Sequence, residues 1–398
     1  MKTIQRLLVV IGCPLSVFGF ATLSGLEPLR LKSIPSRSTV VFQANQGSFD
    51  VSASVPNIGT STPKRHKING VNGDSSATMA KSPPFPVVLW KFTRPHTLIG
   101  SALAVPALHL YAATSLEAAL SVQNLLAVVY ATVPSLLMNL YITGLNQVTD
   151  VEIDKINKPY LPIAAGMLSK PTAIATCLVA LVASLTLGIA HPLYGTSGLN
   201  VALWGSGILG TLYSVKPFRL KRFPLLAAVC IVAVRGTIIN AGFYAHAKAA
   251  GLGLGPTSFL SCLLHDPRCY LSTLFFGVFG LVIALMKDVP DVLGDRLSNI
   301  RTLSVRIGPH NIFRASRSML ISLFLSTSAA FAGWATKGSS GGLVLQRGLV
   351  AICSLGAALS LHFKAKKVDP SNPSMVYKYY MHLWNLFYLS YLVLPFAK

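Results

Sequence analysis

Two short stretches hold the residue types that could carry chemistry. The first, Asn146-Gln147-Val148-Thr149-Asp150-Val151-Glu152-Ile153-Asp154, follows directly on the apolar run Leu125–Leu145. The second, Lys287-Asp288-Val289-Pro290-Asp291-Val292-Leu293-Gly294-Asp295, follows the apolar run Leu271–Met286. Ionisable groups beside hydrocarbon are costly and usually functional. Asp150 and Asp154 are four apart, so they would share one face of a continuing helix. Carboxylates gathered there repel one another unless a cation neutralises them, and all-oxygen donors select hard cations, Mg²⁺, Mn²⁺ or Ca²⁺. Mg²⁺ retains water and is commonly shared with phosphate groups. Paired clusters at Asp150, Asp154, Asp288, Asp291 and Asp295 therefore suit a diphosphate carried by two magnesium sites, with Mn²⁺ as the substitute ion.

Basic residues on the same face would cover the remaining phosphate charge: Lys216 and Arg219 in Tyr213-Ser214-Val215-Lys216-Pro217-Phe218-Arg219, with Lys287, Arg94 and Arg301 behind them. A phosphate at a bilayer mouth with an apolar tail between helices describes an isoprenyl diphosphate. Cations at the mouth stabilise charge developing on departing diphosphate, and the allylic cation left behind needs an apolar, aromatic-lined cavity. Tyr130, Tyr141, Tyr213, Phe243 and Tyr244 are the candidate rings. An electron-rich phenol ring is the expected nucleophile.

The elements that must position these groups are membrane helices. The chain has 398 residues, 52% hydrophobic and only 12% charged, with mean hydropathy +0.57, against about 25% charged in soluble domains. Six of its 12 acidic residues lie in the two stretches. Apolar runs of membrane length fall near Thr97–Ala113, Asn124–Leu145, Pro171–Ala190, Leu199–Ser214, Pro224–Ala247, Tyr270–Met286, Ser318–Ala335, Leu343–His362 and Tyr379–Phe396, predicting an all-α membrane protein of nine transmembrane helices enclosing a central cavity. With nine spans, nineteen Lys and Arg fall on one side and five on the other. One missed span would scramble such a bias. Both acidic stretches thus face one compartment, and the net charge of +22 reads as basic loops at a lipid leaflet, not as a nucleic-acid surface.

Residues 1–80 are Ser-rich, basic and poor in acids, the composition of an organelle transit peptide and linker, which sets the membrane domain at 81–398. A multi-pass plastid membrane protein is the expectation, mitochondrial or endomembrane placement the alternative raised by the apolar patch Leu7–Leu23. The six cysteines show no zinc spacing; Cys262 and Cys269 flank a loop, but free thiols are expected. Arg235, inside the fifth apolar run, is expected to line the cavity or bind phosphate, the alternative being a structural ion pair. Asn139 is as readily an inter-helix hydrogen bond as a ligand. Glu152 points away from Asp150 and Asp154 and reads as a rim salt bridge. The histidines show no metal spacing, and His246 alone stands near the same helix as Arg235.

Asn146-Gln147-x-x-Asp150-x-x-x-Asp154 followed by Lys155-Ile156-Asn157-Lys158-Pro159-Tyr160-Leu161-Pro162 resembles the first signature of the UbiA superfamily of intramembrane prenyltransferases, and more narrowly that of the plant homogentisate prenyltransferase group. Lys287-Asp288-x-Pro290-Asp291-x-x-Gly294-Asp295, with Arg301 to Arg306 after it, resembles that group's second signature about 140 residues later. The resemblance implies magnesium and diphosphate roles for Asn146, Asp150 and Asp154 at one site and for Asp288, Asp291 and Asp295 at another, with Lys216 matching a basic position. The chain departs from the homogentisate pattern at Ala165 to Met167 and at Leu293. That departure resembles enzymes acting on flavonoids, coumarins or phenolic acids. It implies dimethylallyl or geranyl transfer to a plant phenol, the alternative being homogentisate phytyl, solanesyl or geranylgeranyl transfer. A cation transporter is the rival of another class, but its carboxylates would sit near mid-membrane, without Lys and Arg beside them.

Overall fold

In hydrocarbon a backbone must satisfy its own hydrogen bonds, and among the described residues this chain does so with helices alone. The computed structural model describes residues 83–297, 300–337 and 340–398. The expected transit segment lies outside the described residues. Nine helical segments of 18 residues or more follow one another: α1 (Pro95–Ala112), α2 (Val122–Thr149), α3 (Lys170–Ile189), α4 (Ser197–Ser214), α5 (Pro224–Gly251), α6 (Pro267–Lys287), α7 (Pro309–Ala335), α8 (Gly341–Ala365) and α9 (Pro373–Val393). Six of them, α2, α3, α5, α6, α7 and α8, are long and apolar enough to cross a bilayer. All nine expected helices are therefore present among the described residues, and six of them meet that length and hydropathy. The remaining three dilute their apolar surface, α4 with Gly and Ser and α9 with Lys378, His382 and Asn385.

Several boundaries fall earlier than the hydropathy implied. Gly308, at φ 89°, followed by Pro309 starts α7 nine residues before Ser318, so Arg314 and Arg317 are helical and not in a loop. Pro373 likewise starts α9 before Tyr379.

The core forms around α6, whose most apolar window is 78% buried against 17–33% for the other five. Helix α5 crosses it closely: a Cβ on Gly236 would stand 2.6 Å from Gly277 Cα, so only glycine permits this approach. Rings seal the same region, with Phe276 stacked on Tyr391 at 4.0 Å. Helix α5 also opens into π turns over Ala233–Ile238 and Ala247–Gly251, a distortion frequent at functional sites.

Candidate active site

Helix α2 does not run on through the first acidic stretch. It stops at Thr149; Asp150, at φ −114° and ψ 16°, is both its C-cap and the N-cap of a short helix, Val151–Asn157. The shared face expected for Asp150 and Asp154 on one helix is therefore replaced by a bend, although Asp154 N–H still donates to the Asp150 carbonyl at 2.8 Å. The bend turns Asp150 toward the loop after α4. There Arg219 Nη2 donates to its Oδ1 at 2.8 Å, Lys221 pairs with Oδ2, and Asn146 Nδ2 donates to Oδ2 at 3.1 Å. Gln147, donating to the Phe92 carbonyl at 2.8 Å, ties the approach to α1 against the end of α2.

The second stretch repeats the plan. Helix α6 ends at Lys287, Asp288 is its C-cap, and a short helix, Val292–Leu297, follows. Asn157 and Lys158 join the two stretches. Asn157 Oδ1 accepts the Gly294 N–H at 3.0 Å, its Nδ2 donates to Asp295 Oδ1 at 3.4 Å, and Lys158 pairs with Asp291. Gly294 makes this contact possible, since a Cβ there would lie 2.1 Å from Asn157 Oδ1. Lys287 Nζ donates to the Tyr213 hydroxyl at 3.2 Å and lies 3.8 Å from Asp288.

Burial disfavours the charged form of several groups at this rim. It pushes the Asp154 carboxyl up to about 6 despite Lys158, and the Asp295 carboxyl up to about 7, helped by neighbouring Asp288 and Asp291. Asp288 is raised for the same reason. Burial also brings the Lys221 ammonium down to about 8 against the pull of Asp150. Among the described residues no three acidic, His or Cys side chains converge as a metal shell. The two expected metal clusters are therefore not preassembled: lysines and arginines occupy Asp150, Asp288 and Asp291 instead. The donor set still fits a hard cation, being all oxygen and, among the described residues, without an ion-pair partner at Asp154 and Asp295.

Below the rim a cavity of about 200 Å³ runs between α1, α2, α4, α5, α6 and α9. Arg94, Asn146, Tyr213, Arg235, Phe243 and Lys287 line it, as does Asn139, which bridges to Thr97 Oγ1 and Ser101 Oγ. Arg94 and Arg219 are the two non-glycine residues in left-handed backbone, at φ 53° and 39° among the described residues, and both sit at this mouth.

Other expectations resolve differently. Lys216 and Arg301 are exposed and line no part of the cavity; Lys221 takes the place expected of Lys216, because the left-handed turn at Arg219 brings the following residues back to Asp150. Tyr130 donates to the Leu187 carbonyl, Tyr141 pairs with Thr211 Oγ1, and Tyr244 donates to Asp266, so none of these rings lines the cavity. His246 is fully buried between Thr196 and the Ala127 carbonyl as a packing residue. Glu152 meets Lys155 at the exposed rim. The described cysteines, Cys262 and Cys269 among them, are free. Trp384, Tyr380 and His96 line the cavity without having been singled out. Their one sequence signal was position: His96 is two residues past Arg94, and Tyr380 and Trp384 are four apart on α9.

Residues 98–386 match the UbiA prenyltransferase family. The chain is 37% identical to homogentisate phytyltransferase 1, chloroplastic, of Arabidopsis thaliana, over 78% of this chain and 75% of that one. It is 38% identical to homogentisate phytyltransferase of Synechocystis over 77% and 94%, and 31% identical to coumarin 8-geranyltransferase 1, chloroplastic, of Citrus limon over 78% and 72%. Its fold resembles that of a UbiA homolog from Archaeoglobus fulgidus bound to GPP and Mg²⁺, with TM-score 0.51, 16% identity, and coverage of 77% of this chain and 99% of that one. Acid-rich helix ends, basic partners and an apolar cavity in an all-helical membrane fold thus meet a family match over most of the chain: it belongs to the UbiA prenyltransferase family and is an aromatic prenyltransferase.

Proposed function

We propose that this enzyme transfers a long prenyl group, phytyl or geranylgeranyl, from its diphosphate to homogentisate. One observation supports the donor half: Asn157 and Lys158, at the end of the first acidic stretch, bond Gly294, Asp295 and Asp291 of the second, which joins the two acidic stretches. In this reading Asn146, Asp150 and Asp154 hold one Mg²⁺ and Asp288, Asp291 and Asp295 another. Bound there, the ions would supply Lewis-acid stabilisation of the departing diphosphate. Lys158, Arg219, Lys221 and Lys287 exchange their carboxylate partners for phosphate oxygens and hold the leaving group in place. Arg219 Nε, buried with no hydrogen-bond partner among the described residues, is a free donor for that purpose. The C–O bond breaks with its electron pair going to diphosphate. Phe243, Tyr213 and Trp384 keep water from the allylic cation, the acceptor ring attacks, and its displaced proton leaves by the polar mouth.

The acceptor half rests on the relatives. The homogentisate enzymes among them are 35–38% identical, the coumarin enzyme 31%. The departures that pointed to other phenols carry little weight in space: Leu293 is 69% exposed, and neither it nor Met167 lines the cavity. Chloroplastic relatives also support a plastid membrane, with residues 1–80 as the transit segment. The experiment is a membrane assay crossing homogentisate, a coumarin, a flavonoid and a hydroxybenzoate with dimethylallyl, geranyl, geranylgeranyl and phytyl diphosphates, products read by mass. Homogentisate with a C20 donor should dominate, and EDTA should silence it until Mg²⁺ is restored. Preference for a coumarin or flavonoid with a short donor would replace this reading with the specialised-phenol one.

A further inference from the structure

Arg235 stands apart from the phosphate-binding rim. It lies on the first π turn of α5, level with Gly280 on α6, where a Cβ would come within 3.2 Å of the Arg235 Cβ. Gly280 is seven residues before Lys287, so at helical rise Arg235 enters the cavity roughly 10 Å deeper than the rim lysine. Its guanidinium carbon sits 4.9 Å over the Trp384 ring. Among the described residues it forms no ion pair, and its side chain makes no hydrogen bond. Two nearby tyrosines are committed elsewhere, Tyr388 donating to the His96 carbonyl at 2.6 Å and Tyr391 to Asn240 Oδ1 at 3.2 Å, and Tyr380 lines the same cavity as a neutral phenol. A guanidinium within a membrane domain with no counter-ion is costly unless a ligand supplies the charge. Diphosphate is not that ligand, since its partners Lys158, Arg219, Lys221 and Lys287 gather at the mouth.

A second open group faces the same space. His96 Nε2 is buried without a hydrogen-bond partner among the described residues, and its ring meets the Trp384 edge at 5.2 Å. The cavity wall thus gathers a cation and an unfilled imidazole nitrogen around one closely packed tryptophan.

We propose that Arg235 anchors the carboxylate of an aromatic-acid acceptor, whose ring lies against Trp384 and whose hydroxyl bonds His96. The planar guanidinium fork suits a carboxylate bidentately. This rests on the reading of the acceptor as homogentisate, an aromatic acid with ring hydroxyls, and extends it to a rule: acids are taken, and neutral phenols of the same shape are not.

The test uses the full-length protein in detergent with an unreactive thio-analogue of the prenyl diphosphate present. Binding of 4-hydroxyphenylacetate and of its primary amide, equal in shape and lacking the charge, is measured by calorimetry. The acid should bind at least about tenfold more tightly than the amide, the discrimination of a charged hydrogen-bonded pair. Arg235→Gln should erase that ratio while leaving amide and diphosphate affinity unchanged, and Arg235→Lys should restore part of it. His96→Phe should keep the ratio but lower affinity for the hydroxylated acid to that of phenylacetate. Equal affinity for acid and amide in the unmodified protein overturns the proposal without any variant, as does an Arg235→Gln protein that loses diphosphate instead. Preference for acids without homogentisate turnover would leave the anchor standing and remove the acceptor assignment. Homogentisate turnover with no preference for acids would do the reverse.

Discussion

Asn157 is where the two acidic stretches meet, and its replacement by alanine is the sharpest perturbation of the rim. The side chain makes one neutral hydrogen bond, from Gly294 N–H at 3.0 Å, and one to a carboxylate, Asp295, at 3.4 Å. A neutral bond contributes about 0.5–1.5 kcal/mol and a charged one about 1.5–3, the longer contact falling at the low end, so the pair amounts to about 2–3 kcal/mol. If these bonds hold Asp288, Asp291 and Asp295 in register, the loss appears in the transition state, and kcat/KM for the prenyl diphosphate falls about 30- to 150-fold. The acceptor KM should barely move, because Asn157 lies at the mouth and lines no part of the cavity below. The assay is initial-rate kinetics in membranes, varying the diphosphate at saturating acceptor and repeating at several Mg²⁺ concentrations. Asn157→Asp is the companion variant: it still accepts the Gly294 N–H but sets a second carboxylate against Asp295, so it should need more Mg²⁺ for half-maximal rate. An alanine variant within twofold of the parent, or one changed only in acceptor KM, would refute the idea that this residue couples the two acidic stretches.

Asp288→Ala should lower turnover by about a thousandfold or more, the scale of removing a group that stabilises a developing charge, while the thermal midpoint stays within a few degrees; easily measured residual turnover would count against the two-site reading. Without metal, stability should fall as pH rises. The folded state holds the Asp295 proton up to about 7 while the unfolded carboxyl releases it near 3.8, so stability is full below the unfolded value and lost through the folded one, with an upper limit of about 4 kcal/mol. The midpoint in EDTA should therefore drop between about pH 4 and 7, and Asp295→Asn should flatten that slope; an unaltered slope would locate the effect elsewhere. Gly236→Val drives a side chain against Gly277 and should cost at least about 1–3 kcal/mol, read as a lowered midpoint in detergent.

The acids of the site were visible in the sequence because their chemistry and their place after long apolar runs are both unusual. Their basic partners were less so. Four cations lie within Lys216–Arg222, and hydropathy treats them alike; the left-handed turn at Arg219 decides that Lys221 reaches Asp150 while Lys216 faces out. The bend at Asp150 carries no Pro or Gly, so nothing local announced it, and the second acidic stretch that Asn157 and Lys158 engage lies more than a hundred residues away. The rings show the same limit. Tyr130 and Tyr244 look as suitable as Trp384 in a list of aromatics, and only the packing of α9 against α1 brings Trp384 to the cavity. All nine helices were legible as apolar runs, and that signal is weaker where α1, α4 and α9 give up surface to line the cavity or pack in the core.

The two arginines in left-handed backbone have a consequence for how this enzyme can change. Each holds a conformation that glycine adopts freely and that costs other residues on the order of 1 kcal/mol or more. Replacing Arg94 or Arg219 by glycine would relieve that cost while deleting a charge at the cavity mouth. At Arg219 the gain is opposed by the lost ion pair with Asp150, whereas Arg94 makes no ion pair among the described residues. Backbone cost and side-chain charge thus pull in opposite directions at these two positions, most plainly at Arg94, where no ion pair repays the left-handed turn.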